Sequence, residues 1–298
     1  MRPPMPNIDG VRLATFADLE RIAIVAAAAF FWSPTFRFQR PWYREHPEDT
    51  IASYLADYTA ALKDPACAVL VAEDDLEADE AGHVYEALRS AYPCPPLRQK
   101  GIVGVCSLSL KPGSGYMGCF QPTSKQVSCA ARCQATTKPA QGHDGVRLQP
   151  QMVPKSQKRD QSEEAMKIYG SATGPVKLRY FVDKMRLSTL AVAPAYWRRG
   201  HATRLVRFCT QVADSDEAQM GISATPRGMI VAAKAGFEEC EVIRLAHLDV
   251  HNKMAREDPP EVADVMLWIG IRLPGGREPS SDSASGTDSD VQSVLSSV

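Results

Sequence analysis

The sequence lacks the features that mark membrane-spanning or secreted proteins. Its longest apolar run, "IAIVAAAAFFW" at residues 22–32, is much shorter than the roughly 20 residues that a transmembrane helix needs. The first residues, "MRPPMPNIDG", contain no apolar core of a secretory signal. We therefore expect no membrane association and a cytoplasmic location, with the nucleus as the alternative.

Metal-binding patterns and strong charge are also missing. The eight cysteines include no Cys-x-x-Cys pair, and the closest two, Cys129 and Cys133, have no second ligand pair at zinc-finger spacing. We expect free thiols and no metal. The formal net charge is only −1, so there is no clear nucleic-acid partner. Apolar residues make up 44% of the chain, which is enough for an ordinary core.

Two segments lack the residues that form a core. Residues 121–160 contain seven Lys or Arg, two Asp and no aromatic residue, and residues 277–298 contain eight serines and four acidic residues. Such segments cannot bury enough apolar surface to offset the entropy of ordering. The sequence predicts a single domain over residues 1–276, with a disordered basic insertion at about 112–172 and a disordered tail at 277–298.

Hydrophobic periodicity in the remaining chain predicts an α/β fold. Helices are predicted after a capping box at Thr15 and Asp18, and at about 48–63, from Gly200 onward and from Pro226. The predicted strands are residues 11–16, 67–74, 101–110, 185–194, 220–225, 239–250 and 262–273. The second and third of these strands form a hairpin with an elaborated loop, and the last two form a closing pair.

The segment "LAVAPAYWRRGHATRLV" at residues 190–206 joins a strand to a helix through a basic turn. The first N–H groups of a helix have no intrahelical partner, and the helix dipole favours an anion there. Together with Arg198 and Arg199 they suit a diphosphate, and Gly200 allows the backbone to approach it closely. The turn has neither the lysine and hydroxyl pair of a P-loop nor the three glycines of a dinucleotide fingerprint. The alternative is an ordinary helix start with solvated arginines.

This turn resembles the acetyl-CoA signature of the GNAT family of N-acetyltransferases, Gln/Arg-x-x-Gly-x-Gly/Ala. Arg198, Arg199, Gly200 and Ala202 fit the signature, whereas Trp197 occupies its first position. A second stretch, "ATPRGMIVAAKAGF" at residues 224–237, is similar to another motif of the same family. The resemblance implies a mixed, mostly antiparallel sheet flanked by helices, with a V-shaped divergence of two strands at the coenzyme site.

The resemblance also implies acetyl-CoA as co-substrate and direct attack on it by an amine in a ternary complex. The residues expected to bind the coenzyme are Leu190, Ala191, Val192, Arg198, Arg199, Gly200, His201, Ala202 and Thr203. A backbone N–H near Val192 is expected to stabilise the oxyanion. The family positions of the general base and general acid hold Arg186 and Ala232, which cannot transfer these protons. The catalytic residues are therefore unassigned, and the candidate substitutes are Ser188, Ser223, Tyr180, Asp183 and His201.

The acceptor is expected to lie beside the aromatic segment that follows the first helix. Phe31, Trp32 and Ser188 are the candidate substrate-binding residues, and the density of aromatic side chains favours a hydrophobic or aryl-bearing amine. Plain packing between helices explains the same aromatics equally well. Two other functions stay open: a catalytically silent acetyl-CoA-binding or interaction module, and a protein acetyltransferase. The sequence does not define the acceptor or the oligomeric state.

Overall fold

The computed structural model describes residues 4–92, 99–122, 157–245 and 265–276. These residues form one seven-stranded sheet in the order β1-β2-β3-β4-β5-β7-β6, flanked by α-helices. The strands are β1 (Val11–Leu13), β2 (Cys67–Asp75), β3 (Lys100–Ser109), β4 (Met185–Val192), β5 (Met220–Ala224), β6 (Glu238–Leu245) and β7 (Val265–Arg272). The helices are α1 (Leu19–Phe30), α2 (Pro34–Gln39), α3 (Pro47–Lys63), α4 (Glu163–Phe181), α5 (His201–Ser215) and α6 (Pro226–Lys234).

Every pair of neighbouring strands is antiparallel except β4 with β5, which run parallel. The predicted fold class, a mixed and mostly antiparallel sheet flanked by helices, is therefore confirmed. The predicted hairpin is β2 with β3, and the predicted closing pair is β6 with β7. The tertiary core lies between this sheet and its helices, around fully buried residues such as Leu70, Leu108 and Met185.

Helices cover both faces of the sheet, and two adjacent residues of β3 define which helix lies on which face. The thiol of Cys106 lies 3.6 Å from that of Cys209 in α5. The next residue, Ser107, hydrogen bonds to Thr189, which in turn accepts a hydrogen bond from Tyr58 of α3. Because adjacent side chains in a strand point to opposite faces, α3 and α5 lie on opposite faces. Helix α1 lies on the α3 face, where Phe30 stacks on Tyr54.

The predicted insertion at 112–172 is too long at both ends. At its start, Tyr116 and Phe120 are buried and stack on each other, and the Tyr116 hydroxyl donates to the carbonyl of Pro4. At its end, residues 163–172 belong to α4. The predicted disorder of residues 123–156, and that of the tail at 277–298, lies outside the described residues.

Two helices, α2 and α4, were not predicted from the sequence. Helix α2 has only six residues and begins at a proline, so it shows almost no periodicity. Helix α4 contains Gly170, Gly174 and Pro175, which all have low helix propensity. It is stabilised by packing instead, since the ring of Phe181 lies directly over Gly221 of β5, where an added Cβ would clash with it.

Candidate functional site

Strands β4 and β5 are paired along only part of their length. Their parallel ladder joins Met185, Arg186 and Leu187 to Met220, Gly221 and Ile222, and it ends there. Strand β4 continues to Val192 along β3, while β5 continues to Ala224 along β7. The two strands therefore part towards their carboxyl ends. This is the predicted V-shaped divergence, and Leu190, Ala191 and Val192 line its β4 side.

A β-bulge lies at the point where the strands part. Ser107 of β3 pairs with Thr189, and Leu108 pairs with Leu187, so Ser188 is the extra residue of β4. The Ser188 hydroxyl lies 2.8 Å from that of Ser109, and Thr189 lies 2.7 Å from Ser107. Since Ser107 and Ser109 share one face of β3, the bulge places both β4 hydroxyls on the α3 face.

The turn after β4 leaves open space in front of its glycine. Gly200 has φ +81° and caps α5, and a Cβ added there would meet no atom within 4 Å. The first intrahelical bond runs from the N–H of Arg204 to the carbonyl of Gly200. The N–H groups of His201, Ala202 and Thr203 precede that bond, and no acceptor for them is found in the described part of the chain. An anion can therefore approach these three donors over Gly200.

The side chain of Arg199 is held away from this opening. Its guanidinium donates to the carboxylate of Glu77 at 2.8 Å and lies over the ring of Tyr196. The hydroxyl of Tyr196 in turn accepts a hydrogen bond from the N–H of Glu77 at 2.8 Å. The contact of the Arg199 side chain with a phosphate stays a prediction, because its guanidinium bonds to Glu77 in this structure. Arg199 fastens the turn to the segment that follows β2.

The side chain of His201, a candidate for both coenzyme binding and proton transfer, is buried. Its Nε2 lies 3.0 Å from the Asp74 carboxylate, and its Nδ1 lies 2.9 Å from the guanidinium of Arg204. An arginine can only donate, so Nδ1 accepts and Nε2–H donates to Asp74. Burial, followed by the positive charge of Arg204, lowers the pKa of His201, and the imidazole is neutral at pH 7. His201 therefore stabilises the helix start, and only its backbone N–H faces the site.

Trp197, which departs from the family signature, forms a contact at the mouth of the V. Its indole N–H donates to the carbonyl of Val192 at 2.7 Å. Its ring lies 5.7 Å from that of Trp32, and the guanidinium of Arg227 lies 4.6 Å from the Trp197 ring. Trp197 follows β4 and Arg227 follows β5, so this contact spans the two parted strands. Nothing in the sequence pattern indicates that Arg227 lies here.

The two predicted aromatic substrate-binding residues differ in their surroundings. Phe31 stacks on Tyr85 at 4.6 Å and also contacts Phe36 and Tyr43, so it belongs to a packed aromatic cluster. Trp32 is 45% exposed and faces the mouth of the V. Helix packing therefore accounts for Phe31, whereas Trp32 is available to a ligand.

The candidate proton-transfer residues are not gathered at one point. Ser188 lies at the bulge, and Arg186 donates to its hydroxyl at 3.1 Å. Ser223 lies on β5 just beyond its last pair with β4. Asp183 is exposed in the turn before β4, and Tyr180 lies at the end of α4 under Arg179. Ala232 is buried within α6. Among these candidates, Ser188 and Ser223 border the V.

The described residues contain neither a metal-ligand cluster nor a membrane-spanning helix. No group of three or more His, Cys, Asp or Glu side chains there could hold a metal ion. No helix in the same residues is long and apolar enough to cross a membrane.

Residues 167–227 match the model of the Acetyltransferase (GNAT) family. This match covers β4, the Gly200 turn, α5, β5 and the position of Arg227. The chain is also 26% identical over 236 residues to a protein named "Acetyltransferase" from Stachybotrys chartarum, covering 79% of this chain and 83% of that protein. Both comparisons bear out the predicted resemblance to GNAT acetyltransferases, because a segment of the chain matches the family's model and the relative carries the name of an acetyltransferase.

Solved structures show more distant similarity. A histone acetyltransferase and related acetyltransferase from Corynebacterium glutamicum is 16% identical, with a TM-score of 0.41, over 94% of this chain and 100% of that chain. A mosquito arylalkylamine N-acetyltransferase-like protein is also 16% identical, with a TM-score of 0.42, over 88% of this chain and 98% of that chain.

Proposed function

We propose that the protein transfers the acetyl group of acetyl-CoA to the amino group of a small molecule. The observation that carries this proposal is the parting of β4 and β5 after Leu187 and Ile222, next to the open turn at Gly200. The donor set fits the coenzyme: three backbone N–H groups at a helix start suit a diphosphate, and an open strand edge suits an extended amide chain.

Each part of the site has a role in this proposal. The N–H groups of residues 201–203 and Gly200 hold the diphosphate, and the edge formed by Leu190, Ala191 and Val192 holds the pantetheine arm. Because the Arg199 side chain is bound by Glu77, its contribution is to keep the turn in place. The Trp197 indole uses one lone pair of the Val192 carbonyl, and the second lone pair stays available to the ligand.

Acetyl-CoA supplies a thioester-bound acetyl group, which the amine nitrogen attacks as the carbon–sulfur bond breaks. The amine must lose a proton and the departing thiolate must gain one. The polar groups nearest to the parting strands are the hydroxyls of Ser188, Thr189 and Ser223. None is a strong base, so the acceptor reacts in its neutral form, its nitrogen gives up a proton to water, and the departing thiolate takes a proton from water. Ser188 borders the V on the α3 face, where its hydroxyl can contact the bound ligand.

Catalytically silent binding of acetyl-CoA is the second candidate function. It is favoured by Arg186 and Ala232, which occupy the family positions of the general base and acid. Release of coenzyme A thiol in the presence of a broad panel of amines separates the two functions. Thiol release that depends on the amine supports transfer, whereas binding without release supports the silent module.

The coenzyme site is tested with Gly200→Glu. A carboxylate there fills the open space and repels the diphosphate, so we expect acetyl-CoA affinity measured by calorimetry to fall by at least about 30-fold, given that a charged hydrogen bond contributes about 2 kcal/mol. Gly113→Glu is the matched control, because Gly113 also has a positive φ, +72°, and open space where a Cβ would lie. Equal affinities of the two variants would reject the site at Gly200.

A further inference from the structure

Trp32, Trp197 and Arg227 form a cluster, here called the Trp–Arg cluster, at the open end of the V. The Arg227 guanidinium lies 4.6 Å from the ring centroid of Trp197 and 5.7 Å from that of Trp32. The two indoles contact each other edge to face at 5.7 Å. Three separate parts of the chain therefore meet here: the end of α1, the turn after β4 and the start of α6.

The cluster extends to the acceptor side of the sheet. Trp32 follows α1, which lies on the α3 face, whereas α5 and its first N–H groups begin on the opposite face. Arg227 lies at the start of α6 and contacts Trp32. It therefore lies at the boundary between the two faces of the sheet. A molecule that enters the V beside Val192 therefore meets this arginine at the mouth of the V.

Within the described part of the chain, no ion pair or hydrogen bond joins Arg227 to a carboxylate. Its contacts there are with the rings of Trp32 and Trp197. Stacking on indole uses the flat face of a guanidinium and leaves the N–H groups at its edge free to donate. Those groups match the two oxygens of a carboxylate. Arg227 is itself exposed, so a ligand can reach this edge.

A second arginine lies on the acceptor side of the sheet. Arg186 is exposed on β4 and donates to Ser188, and within the described residues it has no carboxylate partner either. An acceptor with a second positive charge is therefore disfavoured here. An acceptor with a negative charge is attracted.

We propose that the acceptor is an amino acid or a similar amine that carries a carboxylate, and that Arg227 binds this carboxylate. Trp32, with 45% of its surface exposed, covers the apolar side chain of the acceptor. The proposal rests on the proposed acetyl transfer. It refines the hydrophobic or aryl-bearing amine expected from the sequence, because it adds the carboxylate as the group that is recognised.

The test compares acceptors that differ only by a carboxylate: phenylalanine with phenethylamine, and tryptophan with tryptamine. The ratio of kcat/KM for the amino acid to that for the amine is measured with the full chain and acetyl-CoA. We expect a ratio well above 1, and a fall of at least tenfold in Arg227→Gln through the KM of the amino acid. Arg227→Lys keeps the charge and is expected to retain part of the ratio. Arg179→Gln is the matched control, because Arg179 is also an exposed arginine over an aromatic ring.

A binding measurement separates this proposal from the failure of acetyl transfer itself. Binding of N-acetylphenylalanine and N-acetylphenethylamine is measured by calorimetry with coenzyme A present. Preference for the carboxylate compound that is lost in Arg227→Gln supports the proposal even without turnover. A ratio below 1, binding of neither compound, or a ratio unchanged in Arg227→Gln overturns it. Weaker coenzyme A binding by Arg227→Gln with an unchanged ratio also overturns it, because Arg227 then serves the coenzyme phosphates.

Discussion

Asp214 and Arg272 form a two-pronged ion pair that joins the end of α5 to the end of β7. The two carboxylate oxygens lie 2.6 and 2.8 Å from the guanidinium nitrogens. Arg272 is 1% exposed, and its remaining donors bond to the carbonyls of Ala235 and Gly276. The carboxyl end of α5, the helix capped by Gly200, is thus joined to β7, the strand that pairs with β5. This ion pair therefore stabilises two elements that border the site.

Replacement of Asp214 is expected to destabilise the fold strongly. Asp214→Asn leaves the buried charge of Arg272 without compensation, which costs about 3 kcal/mol of unfolding free energy. Denaturant unfolding followed by far-UV circular dichroism measures this loss. Glu241→Gln is the control, since it removes a partner of the exposed Arg179 and costs less than about 1 kcal/mol. Equal losses in the two variants would contradict the structural role of the buried pair.

Most of the sheet could be predicted from the sequence because each strand has a distinct apolar run. The strand from Cys67 and the strand from Met185 both begin where the pattern places them. The apolar runs do not indicate how the strands pair. The expected arrangement of the sheet came from the similarity of two short motifs to those of the GNAT family. Helix α4 could not be predicted because Gly170, Gly174 and Pro175 interrupt its helical pattern, and it is packing against β5 that stabilises it.

The backbone turn of the candidate site could be predicted from the sequence, but the contacts of its side chains could not. Gly200 marks the turn because a positive φ favours glycine, whereas the open space in front of it depends on the surrounding chain. The burial of His201 and the capture of Arg199 by Glu77 depend on residues more than 100 positions away in the chain. The same is true of Arg227 and Trp32. Such contacts leave no local pattern in the sequence.

Protonation of His201 makes stability depend on pH in a defined window. The pKa of His201 is lowered in the folded protein from its ordinary value of 6.5. Below about pH 6.5 the unfolded chain binds a proton there that the folded chain does not, so the free energy of unfolding falls as the pH falls. The slope from this residue is at most about 1.4 kcal/mol per pH unit. Above pH 7 both states are neutral and the slope vanishes.

Denaturant unfolding at pH 7.5, 6.5 and 5.5 measures this slope. We expect His201→Gln to flatten it between pH 6.5 and 5.5, whatever its effect on stability at pH 7.5. His83→Gln, at an exposed position, is the control variant. The assignment to His201 is wrong if its replacement leaves the slope of the wild-type protein in place.

The described cysteines should react with alkylating reagents in the order of their exposure. Burial raises the pKa of Cys67 to about 12, and the contact with Cys209, together with burial, raises the pKa of Cys106. A thiol with a raised pKa has little of the reactive thiolate at pH 8, and a buried one is also out of reach. Partial burial raises the pKa of Cys240 as well, but its thiol is exposed, so it is expected to react first among the described cysteines in the native protein.

Peptide mass spectrometry after brief treatment with iodoacetamide tests this order. We expect modification of Cys240 in buffer, partial modification of Cys119, and modification of Cys67, Cys106 and Cys209 only after denaturant is added. Cys240→Ser provides the control, because it removes the modified Cys240 peptide while Cys67, Cys106 and Cys209 stay protected. Labelling of Cys106 in the native protein at the rate of Cys240 would show that β3 and α5 do not pack as described. The opposite faces assigned to α3 and α5, and with them the acceptor side of the site, would then have to be reassigned.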